Sequence, residues 1–212
     1  MNLPNGITVA RVVAAPVVFA LILGGGFGQL VVAFILFVAA GLSDLWDGHL
    51  ARRRGQITDF GKLADPIADK LLVLATFIPF YIVSLRESGM TEVEVVPFWG
   101  RMPLWVLIVI LGREVIVTVF RGFAKRKGVV IAAGKAGKYK ALFQNLFIGG
   151  EILWLALRTR ALEQGWDTPF WSFWTVFHGS FVAVTLAIAL ILTAYSLFVY
   201  LWRYRALVAR SV

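Results

Sequence analysis

The chain has 212 residues, 59% of them hydrophobic and only 16% charged, with a mean hydropathy of +0.81, which excludes an ordinary soluble domain. Its net charge of +9 comes from 21 Lys and Arg against 12 Asp and Glu; in so apolar a chain, cytoplasmic loops and anionic headgroups account for that excess, and no nucleic-acid partner is expected. The absence of cysteine removes disulfides, thiolate metal sites and thiol nucleophiles together.

In chain order, the N-terminal MNLPNGITVAR has no charged lead-in and no small-residue cleavage site, so it does not read as a removable signal peptide. Apolar stretches then predict helices over about 7–24, 29–50, 62–85, 103–121, 140–158 and 171–202. Gly24, Gly25 and Gly26 break the chain after the first, Arg53, Arg54 and Gly55 after the second, and Gly165, Trp166 and Pro169 precede the sixth. The sixth stretch is longer than a bilayer needs, so it should tilt or project at its Arg203, Arg205 and Arg210 end. Six spans consume roughly 120 residues and leave only short loops, with no block for a second domain. The expected fold class is all-α: an integral membrane bundle of six transmembrane helices forming a single domain over residues 1–212.

Charge sets the expected orientation. With the N-terminus cytoplasmic, the opposite-side loops hold only Arg86, Arg101, Arg158 and Arg160, leaving 17 of the 21 basic residues on the cytoplasmic side. Both termini are then cytoplasmic, and Trp99, Trp105, Trp166, Trp171 and Trp174 fall near the opposite boundary as interfacial anchors.

Ionisable residues inside apolar spans are costly and mark function. Three groups stand out: Asp44 with Asp47, Asp65 with Asp69, and Arg113 with Glu114. On a helix Asp44, Asp47, Gly48 and Ala51 form one stripe, and Gly61, Asp65 and Asp69 form a second on the next, antiparallel helix. Four carboxylates brought together repel one another unless cations lie between them, and an all-oxygen cluster suits Mg²⁺ or Mn²⁺, two ions rather than one. Acids near helix ends also pair with basic neighbours such as Arg52 or Lys70, but that reading does not account for two aligned stripes. His49 lies off the stripe and His178 sits among Phe and Trp, so both read as structural. Glu151, alone in the fifth span, either lines a dimer interface or faces a polar helix partner.

The segment SDLWDGHLARRRGQITDFGKLADPIADK matches D-x2-D-G-x2-A-R-x8-G-x3-D-x3-D at all eight fixed positions between Asp44 and Asp69. By this pattern the chain resembles the CDP-alcohol phosphatidyltransferase family. The resemblance implies six transmembrane helices, a homodimer in the inner (plasma) membrane with its active site facing the cytoplasm, and a pair of divalent ions. It implies transfer of a phosphatidyl group from CDP-diacylglycerol to an alcohol. It makes Asp44, Asp47, Asp65 and Asp69 metal ligands, Asp69 also the general base, and places Gly48, Arg52 and Thr58 against the CDP group. The opening MNLPNGITVARVVAAPVV resembles the N-x-P-N-x-[IL]-T-x2-R-x4-P start of one bacterial branch that uses glycerol 3-phosphate, which adds Asn5 and Thr8 to the CDP-lipid site. The segment GREVIVTVFRGFAKRKGVVIAAGKAGKYKALFQN matches that branch at Arg113, Glu114, Arg121, Lys138, Lys140 and Gln144, and departs from it at Ala141, where Thr is usual.

A dianionic acceptor needs fixed cations, and Arg113, Arg121, Lys138 and Lys140 are the candidates for binding its phosphate. Lys125, Arg126 and Lys127 read as topology and headgroup contacts. The expected partners are therefore CDP-diacylglycerol, glycerol 3-phosphate and membrane lipids. The nearest rivals keep the chemistry with serine, inositol phosphate or phosphatidylglycerol as acceptor. A cation transporter would spread its carboxylates across the bilayer, whereas all four lie toward one side.

Overall fold

A computed structural model of the chain describes residues 3–54, 59–87, 94–98, 100–127 and 134–203. Among these residues run six helices: α1 (Leu3–Gly24), α2 (Phe27–Arg54), α3 (Asp59–Glu87), α4 (Leu104–Arg126), α5 (Lys135–Gln164) and α6 (Pro169–Arg203). The only extended pairing among the described residues is one bridge between Val96 and Gly100. Three of the helices are long and apolar enough to cross a membrane by composition alone, over Asn5–Gly24, Pro66–Glu87 and Pro169–Trp202. In α2 the described apolar run is Phe27–Ser43, and Asp44 and Asp47 follow it in the sequence. Helices α4 and α5 carry charges within their length, yet their 23 and 30 residues reach about 34 and 45 Å at 1.5 Å per residue, beyond a hydrocarbon core of about 30 Å. The molecule is a helical membrane bundle.

Local chemistry sets the helix ends. Gly25, at φ 70°, closes α1, and Gly165, at φ 62°, closes α5; both conformations lie in the left-handed region that glycine adopts without a Cβ clash. Thr168 starts α6: its Oγ1 accepts the Trp171 backbone N–H at 3.1 Å, while Pro169 fills the first helical position, where a missing N–H costs nothing.

The main helix contacts form a closed ring, α1–α2–α5–α6–α4–α3 and back to α1. Across its centre Phe77 and Phe80 of α3 meet Phe147 of α5, with ring centroids 5.4 to 6.2 Å apart and all three side chains fully buried. In lipid, where burial alone does not drive helices together, such packing and small residues at crossings hold a bundle. Gly150 shows the second device: a Cβ there would stand 3.0 Å from the Phe181 ring, so its absence lets α5 and α6 approach.

The α3–α4 connection is packed into the bundle. Val95, Val96 and Met102 are buried in it, and the Trp154 indole donates to the Glu94 carbonyl at 3.2 Å. Trp171, read from sequence as an interfacial anchor, is instead buried and stacked on Trp154, centroids 6.3 Å apart. The first turn of α6 brings it against α5, and an aromatic face that finds an aromatic partner is better packed there than in headgroups. His178 is structural, as expected: its Nε2 donates to the Gly150 carbonyl at 2.9 Å. Glu151 is fully buried inside the bundle and so lines no outer face.

Candidate functional site

The acid pattern falls at the end of α2 and the beginning of α3. Both helices are continuous through Asp44, Asp47, Gly48 and Asp65, as the two-stripe argument requires. The side chains of Asp44, Asp47, Arg52 and Asp65, the surroundings of Gly48, and Thr58 altogether lie outside the described residues. Asp69 is described. It is paired with Arg11 of α1, whose guanidinium donates to Asp69 Oδ1. The arginine side chain is 4% exposed and the carboxylate 57%, so a buried cation meets a solvent-exposed acid at Oδ1. Thr8, one turn before Arg11, is buried beside it on α1, and Asn5 is half-buried one turn earlier. Through Arg11 the first part of α1, with the Asn5 and Thr8 that the resemblance assigns to the CDP group, meets α3 at Asp69.

The four cations expected from sequence at an acceptor phosphate divide in two. Lys140 of α5 and Arg113 of α4 converge on Glu114: Lys140 Nζ and Arg113 Nη1 both donate to the same oxygen, Oε1, the arginine at 3.0 Å. Lys138 is exposed on α5. Arg121 turns toward α6, its guanidinium 5.9 Å from the centre of the Tyr200 ring. Gln144, one turn along α5 from Lys140, is buried, and its amide nitrogen has no hydrogen-bond partner among the described residues. A cavity of about 200 Å³ between α3 and α4 is lined by Lys70, Thr118 and Glu114 among apolar side chains. It sets the α3 turn that carries Asp69 beside the α4 turn that carries the cation cluster.

Asp69 suits a divalent ion on chemical grounds. Its carboxylate is open, oxygen-only, and already holds a cation in Arg11. Among the described residues no three His, Cys, Asp or Glu side chains gather, since the other three acids of the pattern lie outside them. Arg11 is the fixed arginine of the N-x-P-N-x-[IL]-T-x2-R-x4-P opening, but no site role is expected of it from sequence, although an arginine inside an apolar run carries a signal of its own. Glu114 was noticed as an intramembrane charge, but its two partners are separated from one another by 27 positions in sequence, and only the fold brings them together.

The family model for CDP-alcohol phosphatidyltransferases matches residues 1–202. Over 151 residues the chain is 39% identical to a probable phosphatidylglycerophosphate synthase of Mycobacterium tuberculosis (strain CDC 1551 / Oshkosh), covering 70% of this chain. It spans 64% of that relative's length. It is 34% identical over 164 residues to the CDP-diacylglycerol--glycerol-3-phosphate 3-phosphatidyltransferase of Bacillus subtilis (strain 168), covering 72% of this chain and 77% of that one. It is 32% identical over 180 residues to the cardiolipin synthase (CMP-forming) of Streptomyces coelicolor (strain ATCC BAA-471 / A3(2) / M145), covering 81% and 75%. With the eight-position acid pattern set on two consecutive helices and a family match over nearly all its length, the chain belongs to the CDP-alcohol phosphatidyltransferase family.

Proposed function

We propose that this chain is a phosphatidylglycerophosphate synthase, transferring the phosphatidyl group of CDP-diacylglycerol to glycerol 3-phosphate and releasing CMP. The observation that carries the reading is the cavity shared by Lys70 and Glu114. Lys70 follows Asp69 on α3, and Glu114 binds Arg113 and Lys140, a pair of cations suited to a phosphorylated acceptor. The names of the mycobacterial and Bacillus relatives support the same acceptor.

In this reading Asn5, Thr8, Gly48 and Thr58 position the CDP group, and Arg113, Arg121, Lys138 and Lys140 bind the acceptor phosphate. Asp69 accepts the proton of the C1 hydroxyl of glycerol 3-phosphate. The C1 oxygen forms a bond to the β-phosphorus of CDP-diacylglycerol while the bond from that phosphorus to the bridging oxygen breaks. CMP leaves with the electron pair, its charge met by Arg52. Two Mg²⁺ or Mn²⁺ ions held by Asp44, Asp47, Asp65 and Asp69 would neutralise charge on the reacting phosphates. The six helices act as one catalytic domain. The basic bias supports both termini and the site on the cytoplasmic face of the inner membrane, with two chains associating as a homodimer.

The test is to incubate purified protein with CDP-diacylglycerol and a divalent metal, offering glycerol 3-phosphate, serine, inositol phosphate and phosphatidylglycerol in parallel, and to identify the lipid by mass. Phosphatidylglycerophosphate is expected, and EDTA should abolish it. A product from serine alone would overturn the acceptor assignment, and cardiolipin would favour the alternative that the Streptomyces relative's name supports.

A further inference from the structure

We propose that Glu114 is a positioning residue for the acceptor phosphate, fixing Lys140 and Arg113 so that each presents its remaining donors to one dianion. The proposal rests on the acceptor reading above. Three observations carry it. First, the trio is withdrawn from water: side-chain exposure is 5% for Lys140, 12% for Arg113 and 19% for Glu114. Two cations held so close in such a place repel each other, and a carboxylate between them offsets that repulsion.

Second, Arg113 and Glu114 are adjacent in sequence, and adjacent helical side chains point about 100° apart and do not face each other. Arg113 therefore bends along the helix to reach Oε1, an arrangement that helix geometry does not supply unaided. The bend lays the guanidinium over α5 at Gly137, where a Cβ would stand 3.7 Å from Nη2. Gly137 and Lys140 lie one turn apart on α5, so Arg113 and Lys140 meet on a single face of that helix.

Third, the grip is incomplete in a way that leaves donors for a ligand. Only Nη1 of Arg113 is engaged by Glu114, and Nε is buried without a hydrogen-bond partner among the described residues. A buried charged donor left unmatched is costly. An acceptor phosphate would take that donor together with the protons of Lys140 that Glu114 leaves open, which is the fixed, charge-assisted arrangement that phosphate recognition uses. Arg121 and Lys138 have no such anchor on Glu114: one lies over Tyr200 and the other is exposed.

The experiment is steady-state kinetics of the full chain in lipid, varying glycerol 3-phosphate and CDP-diacylglycerol separately, for Glu114→Gln, Lys140→Gln and the double variant. Glu114→Gln should raise KM for glycerol 3-phosphate about tenfold, the worth of one charge-assisted hydrogen bond, while leaving KM for CDP-diacylglycerol within about twofold. KM does not depend on the fraction of active protein, so a variant that only folds poorly would lower kcat and leave both KM values alone, which overturns the proposal. In the Lys140→Gln background, adding Glu114→Gln should raise that KM clearly less than it does alone, because only Arg113 is then left for Glu114 to hold; fully additive effects overturn it as well. Should Lys140→Gln itself leave KM for glycerol 3-phosphate unchanged, the acceptor reading fails, and that outcome is distinct from failure of Glu114 alone.

Discussion

Helix α3 carries the same device at both ends. Near its start Asp69, 57% exposed, pairs with Arg11, 4% exposed; at its close Glu87, 37% exposed, pairs with Arg158, 2% exposed. The 18 residues between 69 and 87 put the pairs about 27 Å apart. What differs is the company. Around Glu87 the polar groups are matched internally: Trp154 to the Glu94 carbonyl, His178 to the Gly150 carbonyl, and Arg160 over the Phe27 ring. The indole N–H of Trp174 is an exception. Around Asp69, Arg113 Nε and the Gln144 amide stay buried without a partner among the described residues, and Lys138 is exposed. A buried arginine on a half-open acid is therefore no mark of a site by itself. Unmatched charged and amide donors beside it are.

The largest effect should separate the two ends cleanly. Asp69→Asn removes the proposed base, and turnover should fall by about 10²–10⁴, with only a small fall in the thermal midpoint in detergent, because Asp69 is the more exposed of the two acids and its lost charge is the better screened. Ample activity in that variant would strip Asp69 of its role. Glu87→Gln should do the reverse. It removes the charge from the acid that holds the buried Arg158, a loss that reaches 3–5 kcal/mol when a pair is wholly enclosed. Water reaches Glu87, which brings the expected cost to about 2 kcal/mol. Activity per folded molecule should hold. If it fell along with the midpoint, the ends would be coupled, and the contrast between them would be wrong.

A smaller effect is expected where the α3–α4 connection meets α6. A Cβ at Gly179 would stand 2.9 Å from the Pro97 Cβ, closer than packed carbons come, and both residues are buried. Gly179→Ala should cost about 1–2 kcal/mol through displaced packing, seen as a lowered thermal midpoint with both KM values preserved. A shifted KM for glycerol 3-phosphate would mean that this end communicates with the other.

Much of this architecture is legible in the sequence, for identifiable reasons. The apolar stretches fall on the six helices because a bilayer-spanning segment has to be both long and apolar, and glycine and proline mark its ends. The helices run past those stretches, α2 to Arg54 and α5 to Gln164, because hydropathy reads the membrane and not the backbone. The Asp stripes are legible because regular spacing on a helix is itself geometry. Arg11 with Asp69 and Lys140 with Glu114 are not, since 58 and 26 positions separate the partners and no local pattern encodes which helices become neighbours. The buried turn through Val95 and Val96 escapes for the same reason: its packing partners, Trp154 and Gly179, lie on α5 and α6.

The smallest expected effect belongs to Glu151, midway between the two ends on α5. It is fully buried, and neither carboxylate oxygen has a hydrogen-bond partner among the described residues. By the criterion that separates the ends, an unmatched polar group marks a site only when other unmatched donors and charges accompany it. Glu151 is instead flanked by buried Ile148, Ile152 and Leu155 and lies seven residues beyond Gln144; the charge that acts on it is Arg158, two turns on and already paired with Glu87. Glu151→Gln keeps the volume and removes the ionisable group, so stability should change by less than about 1 kcal/mol, and upward, because the cost of burying a carboxyl without a partner is relieved. Turnover and both KM values should be unaltered. A loss of activity with the fold intact would extend the site from Asp69 to the middle of the bundle, and the boundary drawn between the two ends of α3 would have to move with it.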